Sequence, residues 1–191
     1  MLSLHAQTAE ILLKLSKGLN WPVWNFSQPW TVLSMVEADN QQHITITMPL
    51  TPDQTSIRLY RTGKTSADTV IENNIIVRDQ AIEIEKIWIN GVLLELPTLQ
   101  QCFKFYPEYQ QSDQDYARQH NTELPICRYE TCLFYNGCWQ FEFDQPFFPW
   151  YNLRLMQGLK DVNHWAKAAN LGIATDSQRR RLDRLLEQLS Q

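Results

Sequence analysis

The chain has no run of about 18 apolar residues, so no transmembrane helix is expected. It has no basic excess either: 17 Lys and Arg stand against 21 Asp and Glu, a formal charge of −4. A phosphate backbone selects for a clustered cationic surface, and an anionic bilayer for a polybasic patch. Neither nucleic acid nor membrane is therefore an expected partner. The opening residues, MLSLHAQTAEILLKLSKG, lack an early positive cluster, and Glu10 and Lys14 interrupt their apolar positions. That is not the pattern of a cleaved signal, and the expected location is cytoplasmic.

Chemical motifs are missing as well. The sequence contains no G-x-G-x-x-G, P-loop, H-E-x-x-H, G-x-S-x-G, EF-hand loop or C-x-x-C. Its four histidines (His5, His43, His120, His164) include no i, i+4 pair, which removes a helical metal site. The four cysteines (Cys102, Cys127, Cys132, Cys138) contain a C-x4-C-x5-C spacing that matches no usual zinc pairing. They fit free thiols of a reducing compartment. No metal and no cofactor is expected, and no internal repeat or low-complexity segment is present.

What the chain does have is apolar and aromatic residues, 43% and 12% of 191. That suffices for a sizeable core and leans toward strands, where aromatic and β-branched residues pack best. Residues 43 to 48 alternate cleanly, with Ile44, Ile46 and Met48 on one side and His43, Thr45 and Thr47 on the other. Residues 31 to 37 form the strand before it, across the polar turn ADNQQ. In residues 56 to 61, Ile57 and Leu59 point inward while Arg58 and Tyr60 point outward. Between Ile82 and Ile89 the apolar phase changes near Glu85-Lys86, which predicts a β-bulge. Asn90-Gly91 predicts a hairpin turn joining Trp88-Ile89 to Val92-Leu93.

A second Asn-Gly pair, Asn136-Gly137, predicts a two-residue turn between 129–135 and 138–144. It would place Cys132, Phe134, Trp139, Phe141 and Phe143 on the core face. The opposite face would carry Tyr129, Thr131, Leu133, Tyr135, Cys138, Gln140, Glu142 and Asp144. Residues 3 to 17 read as an amphipathic helix capped by Ser3 and stopped by Gly18. Residues 153 to 157 read as a last strand. Residues 159 to 169 and the stretch opened by the Thr175–Gln178 capping box read as two C-terminal helices. The expected fold is mostly β: an antiparallel β-sandwich or jelly roll with an N-terminal helix and two C-terminal helices. Residues 1–158 form its sandwich domain and 159–191 a helical appendage.

The expected function is a non-catalytic binding module for a carbohydrate or similar polar ligand. Sugars offer hydroxyls to acids and amides, and flat C–H faces to aromatic rings. Tyr129, Tyr135, Gln140, Glu142, Trp150, Tyr151 and Asn152 supply that mixture. An alternative is a protein–protein adaptor using Trp21, Trp24 and Trp30. A third is a small hydrolase using Glu142 and Asp144, about 7 Å apart along one strand face.

Overall fold

The computed structural model describes residues 7–73 and 75–157, with the backbone alone at 97 and 98. Among them are twelve strands. In chain order they are β1 (Gln7–Ser16), β2 (Val23–Phe26), β3 (Thr31–Ala38), β4 (Gln41–Leu50), β5 (Ser56–Thr62) and β6 (Val70–Glu72). Then come β7 (Ile75–Arg78), β8 (Ala81–Ile89), β9 (Val92–Leu93), β10 (Phe103–Glu108), β11 (Cys132–Leu133) and β12 (Asn136–Glu142). Helix α1 spans Gln111–Gln119, and residues 147–157 form helix α2. Among the described residues no helix is long and apolar enough to cross a membrane.

Every strand pairing is antiparallel. The first sheet has the order β11-β8-β1-β4-β3, with β9 also on β8; the second has the order β10-β12-β5-β2. β6 and β7 form a separate two-stranded ribbon. Buried side chains of both sheets, such as Leu13 and Ile46 of the first and Ile57, Phe105 and Trp139 of the second, belong to one hydrophobic cluster. The short linker from β2 to β3 and the segment from β11 to β12 carry the chain from one sheet to the other.

The expected N-terminal helix is a strand. Leu13 of β1 pairs with Ile44 of β4 on one side and Ile84 of β8 on the other, so β1 lies in the middle of the first sheet. Spacings of i, i+4, such as Ile11 to Leu15, satisfy both a helix and a strand, because four is even. Ala9 and Leu13 decide the matter: Ala9, Ile11, Leu13 and Leu15 are all buried, while Thr8, Glu10, Leu12, Lys14 and Ser16 between them are not. Burying such a row contributes roughly 1.5–3 kcal/mol per large aliphatic. The helical reading of residues 153 to 157 replaces the last strand expected there. Ser3 and the two expected C-terminal helices lie outside the described residues.

The predicted bulge is present. Leu12 pairs with Lys86 and Leu13 with Ile84, so Glu85 is the extra residue. The Asn90-Gly91 hairpin also forms, with Trp88 opposite Leu93 and Ile89 opposite Val92. Both turn residues take the positive φ such a turn requires, 50° and 76°.

Asn136-Gly137 does not make a turn. β12 starts at Asn136 and runs straight between β10 and β5, while β11 belongs to the other sheet. The Asn136 amide pairs instead with the backbone of Lys64, accepting from its N–H at 2.9 Å and donating to its carbonyl at 3.0 Å. Leu133 rather than Phe134 is therefore the core residue of that segment, and Phe134 is exposed. Trp139, Phe141 and Phe143 are buried as their alternation requires.

Polar groups staple this framework. Asp68 is buried and accepts from Leu19 N–H (3.0 Å), Asn20 N–H (3.2 Å), Thr65 N–H (3.0 Å) and Thr65 Oγ1 (3.0 Å). Burial pushes its carboxyl up, but the bonds from Thr65, Asn20 and Leu19 outweigh it and hold the pKa below the ordinary value. A depressed folded-state pKa contributes stability above the unfolded value, about 3.9, that is lost as pH falls through the folded pKa. Asp68→Asn keeps the shape but offers one acceptor oxygen for donors on two sides. It is expected to cost about 2–3 kcal/mol at neutral pH. Urea titrations should show that the gap between wild type and variant closes below about pH 4.

Candidate functional site

Pairing between β10, β12 and β5 builds a polar platform on the outer face of the second sheet. Inward residues Phe103, Phe105, Ile57, Leu59, Trp139 and Phe141 are buried, so their neighbours must face out. The register sets Lys104 beside Gln140 and Gln140 beside Arg58. The next outward row is Tyr106, Cys138 and Tyr60. Phe105 also bridges Arg128 in antiparallel fashion. Continuing that register sets Tyr129 at the end of the Lys104 row and Cys127 at the end of the Tyr106 row.

The Lys104 ammonium donates to a Glu142 carboxylate oxygen, and Gln140 Nε2 donates to the other at 3.0 Å. The bond to Glu142 holds Lys104 above its ordinary pKa against the effect of burial, and Tyr106 and Tyr129 add to it. Both tyrosines thus lie within electrostatic reach of the ammonium. Tyr60, Tyr106 and Tyr129 are all exposed. Burial pushes the Cys138 thiol up, against the pull of Arg58 and a hydrogen bond with Tyr60. Beside the platform opens a groove of about 460 Å³ lined by Arg58, Lys104, Gln140, Glu142, Asp144 and Trp150, among others.

The seven residues expected from the sequence do not fall in one place. Gln140, Glu142 and Trp150 share the groove, and Tyr129 adjoins it at the edge of β10. Trp150 is nearly all buried, packed against Phe141, Phe143 and Phe147, with the Arg154 guanidinium 5.8 Å from its ring. Tyr151 is buried and its hydroxyl accepts from Glu95 N–H at 2.9 Å, while Asn152 is exposed on α2.

Tyr135 lines a second groove, of about 650 Å³, with Lys64, Asp79, Arg128, Ile71 and Ile76 among its walls. Three of the polar side chains there are tied together. Lys64 Nζ donates to Asp79 Oδ1 at 2.6 Å and to Phe134 O at 2.6 Å, and Thr69 Oγ1 donates to the same Asp79 oxygen at 2.7 Å. Burial lowers the Lys64 pKa, and Asp79 opposes that shift. Arg128 sits over the rings of Tyr135 (5.0 Å) and Tyr109 (5.9 Å).

The tryptophans of the 21–30 segment are half-buried. Trp24 and Trp30 lie with ring centroids 4.8 Å apart, and Trp30 Nε1 donates to Asn25 Oδ1 at 2.8 Å. Lys17 lies 5.6 Å from the Trp21 ring. The four cysteines carry free thiols, and among the described residues no group of three His, Cys, Asp or Glu gathers to hold a metal.

Lys104, Tyr106 and the partnership of Arg58 and Tyr60 with β12 were not foreseen. Their signal was the alternation in FKFYPE, where Phe103 and Phe105 take one face and Lys104 and Tyr106 the other. The chain matches no known protein-family model, no curated protein and no solved structure.

Proposed function

We propose that the outer face of the second sheet binds a carbohydrate or a similar polyhydroxylated ligand, without chemistry, and that the two sheets form the layers of a sandwich supporting it. The observation that carries this reading is the row Tyr129, Lys104, Gln140 and Arg58, with Glu142 beside it and exposed Tyr60 and Tyr106 in the adjoining row. A sugar ring needs stacking surface for its C–H face and donors and acceptors for its hydroxyls. Here both lie on one rigid sheet, so little ordering is required on binding. Glu142 already accepts from Lys104 and Gln140, which suits it to hold a hydroxyl in a fixed direction.

A glycan array with the purified chain tests the reading. A subset of glycans should be retained, and Tyr106→Ala should weaken that retention about five- to tenfold, the value of one lost stacking contact. Glu142→Ala should weaken it about tenfold or more, since it removes an acceptor and releases Lys104. Both side chains sit at the surface, so the unfolding midpoint should hardly change. Retention of no glycan at all would defeat the proposal.

A further inference from the structure

We propose that β3 is the contact strand of a homodimer, pairing edge to edge with β3 of a second copy. This surface lies in the first sheet, apart from the ligand platform of the second. Among the described residues β3 ends that sheet, and β4 is the strand hydrogen-bonded to it. All eight of its residues are exposed. Among them are Val32 (45%), Leu33 (54%), Met35 (60%) and Val36 (64%).

These apolar side chains occupy both faces. Val32 pairs with Ile46 and Met35 with Ile44, whose side chains are core, while Val36 pairs with His43, whose side chain is not. Ile44 and Ile46 are buried and their β3 neighbours are not, so among the described residues the core covering ends at β4. A free edge of this kind presents unpaired backbone N–H and C=O groups as a template for another strand. Protected edges carry lysine, proline or a very short strand; β3 is eight residues long and has neither residue.

A second copy fits this edge by charge. From Thr31 to Val36 the strand is uncharged, so two copies meet antiparallel without opposing like charges. A twofold axis near mid-strand sends each Glu37 toward the other copy's N-terminal end and away from its twin. A foreign strand selected by its charge finds nothing to pair with over that stretch. An edge contact between two eight-residue strands lies at the small end of specific interfaces, which begin at about 1,000 Å² of total covered surface. The dimer is therefore reversible and concentration-dependent.

Sedimentation velocity of the full chain over a dilution series tests this. The expected result is an equilibrium between a 22.5 kDa species and one of twice that mass. Hydrogen exchange at residues 31–38 should slow as concentration rises. Met35→Lys with Val36→Lys puts an ammonium on each face of the strand, and should leave a monomer with an unchanged circular dichroism spectrum. Three results overturn the proposal: monomer at every concentration, a dimer that survives the double substitution, or protection of β3 independent of concentration. Should the double variant misfold, the exchange of the unaltered chain decides alone.

Discussion

Replacing Arg61 by methionine is expected to destabilise the protein by about 3–5 kcal/mol, although methionine is apolar and similar in length. Arg61 occupies a core-parity position, following Ile57 and Leu59 along β5, and is fully buried. Its guanidinium donates to the carbonyls of Leu133, of Tyr135 (3.2 Å) and of Gln80 (2.7 Å), and to Gln80 Oε1 (3.1 Å). Burial lowers its pKa to about 10, opposed by Asp79, Cys132 and Asp68, so it remains protonated at neutral pH. Leu133 ends β11 and Tyr135 lies between β11 and β12, where the chain crosses between sheets, and Arg61 supplies a donor to both carbonyls. Methionine would leave these buried acceptors without that donor, and each orphaned group costs about 1–3 kcal/mol. Lysine restores charge but lacks the planar fork that spans carbonyls on two sides. Urea denaturation should therefore rank wild type above Arg61→Lys, and Arg61→Lys above Arg61→Met. A methionine variant within about 1 kcal/mol of wild type would show that the carbonyls find other partners.

Gly137→Ala carries the second large expected effect, about 3 kcal/mol or more. Gly137 has φ of 140°, and a Cβ built there falls 2.1 Å from the Tyr106 carbonyl oxygen and 3.1 Å from Pro107 Cα. Both obstacles are backbone of the paired strand β10, so relief requires separating β10 from β12. Gly91 is the control. Its φ is 76°, but a Cβ there meets nothing within 4 Å. Gly91→Ala should cost only the left-handed backbone penalty, about 1–2 kcal/mol. Thermal or urea unfolding of the two variants side by side separates collision from conformation. Equal losses would mean that the close approach at Gly137 contributes nothing.

These two residues also mark where local sequence patterns stop being informative. Alternation reveals strands wherever one face is buried, as in β4, β5 and both halves of β8, and the phase change at Glu85 revealed the bulge. The two Asn-Gly pairs look alike in sequence, yet one turns a hairpin and the other enters a straight strand. The difference lies in distant chain: Lys64 backbone engages Asn136, and Tyr106 backbone lies against Gly137. The strand β1 was hidden because Ile11 and Leu15 satisfy two periods at once. Arg61 closes the 56–61 strand in the sequence, and nothing beside it announces the carbonyls it serves.

The candidate site was legible to the same degree. Parity along β12 placed Gln140 and Glu142 outward correctly, because Trp139, Phe141 and Phe143 had to face the core. The sheet order was not legible. That β10 and β5 flank β12, bringing Lys104, Tyr106, Arg58 and Tyr60 around it, depends on pairings dozens of residues apart. Tyr135 and Tyr129 shared a face in the hairpin reading. Without that turn, Tyr135 joins Tyr109 and Arg128 in the other groove.

The proposed ligand platform is tested most directly by a two-dimensional NMR titration of the labelled protein with glycans retained on the array. Saturable shifts are expected, centred on Tyr60, Lys104, Tyr106, Tyr129, Gln140 and Glu142, and in Glu142→Ala they should need about tenfold or more ligand to saturate. Shifts centred instead on the Tyr135 and Arg128 groove, or no saturable shift with any glycan, would contradict it.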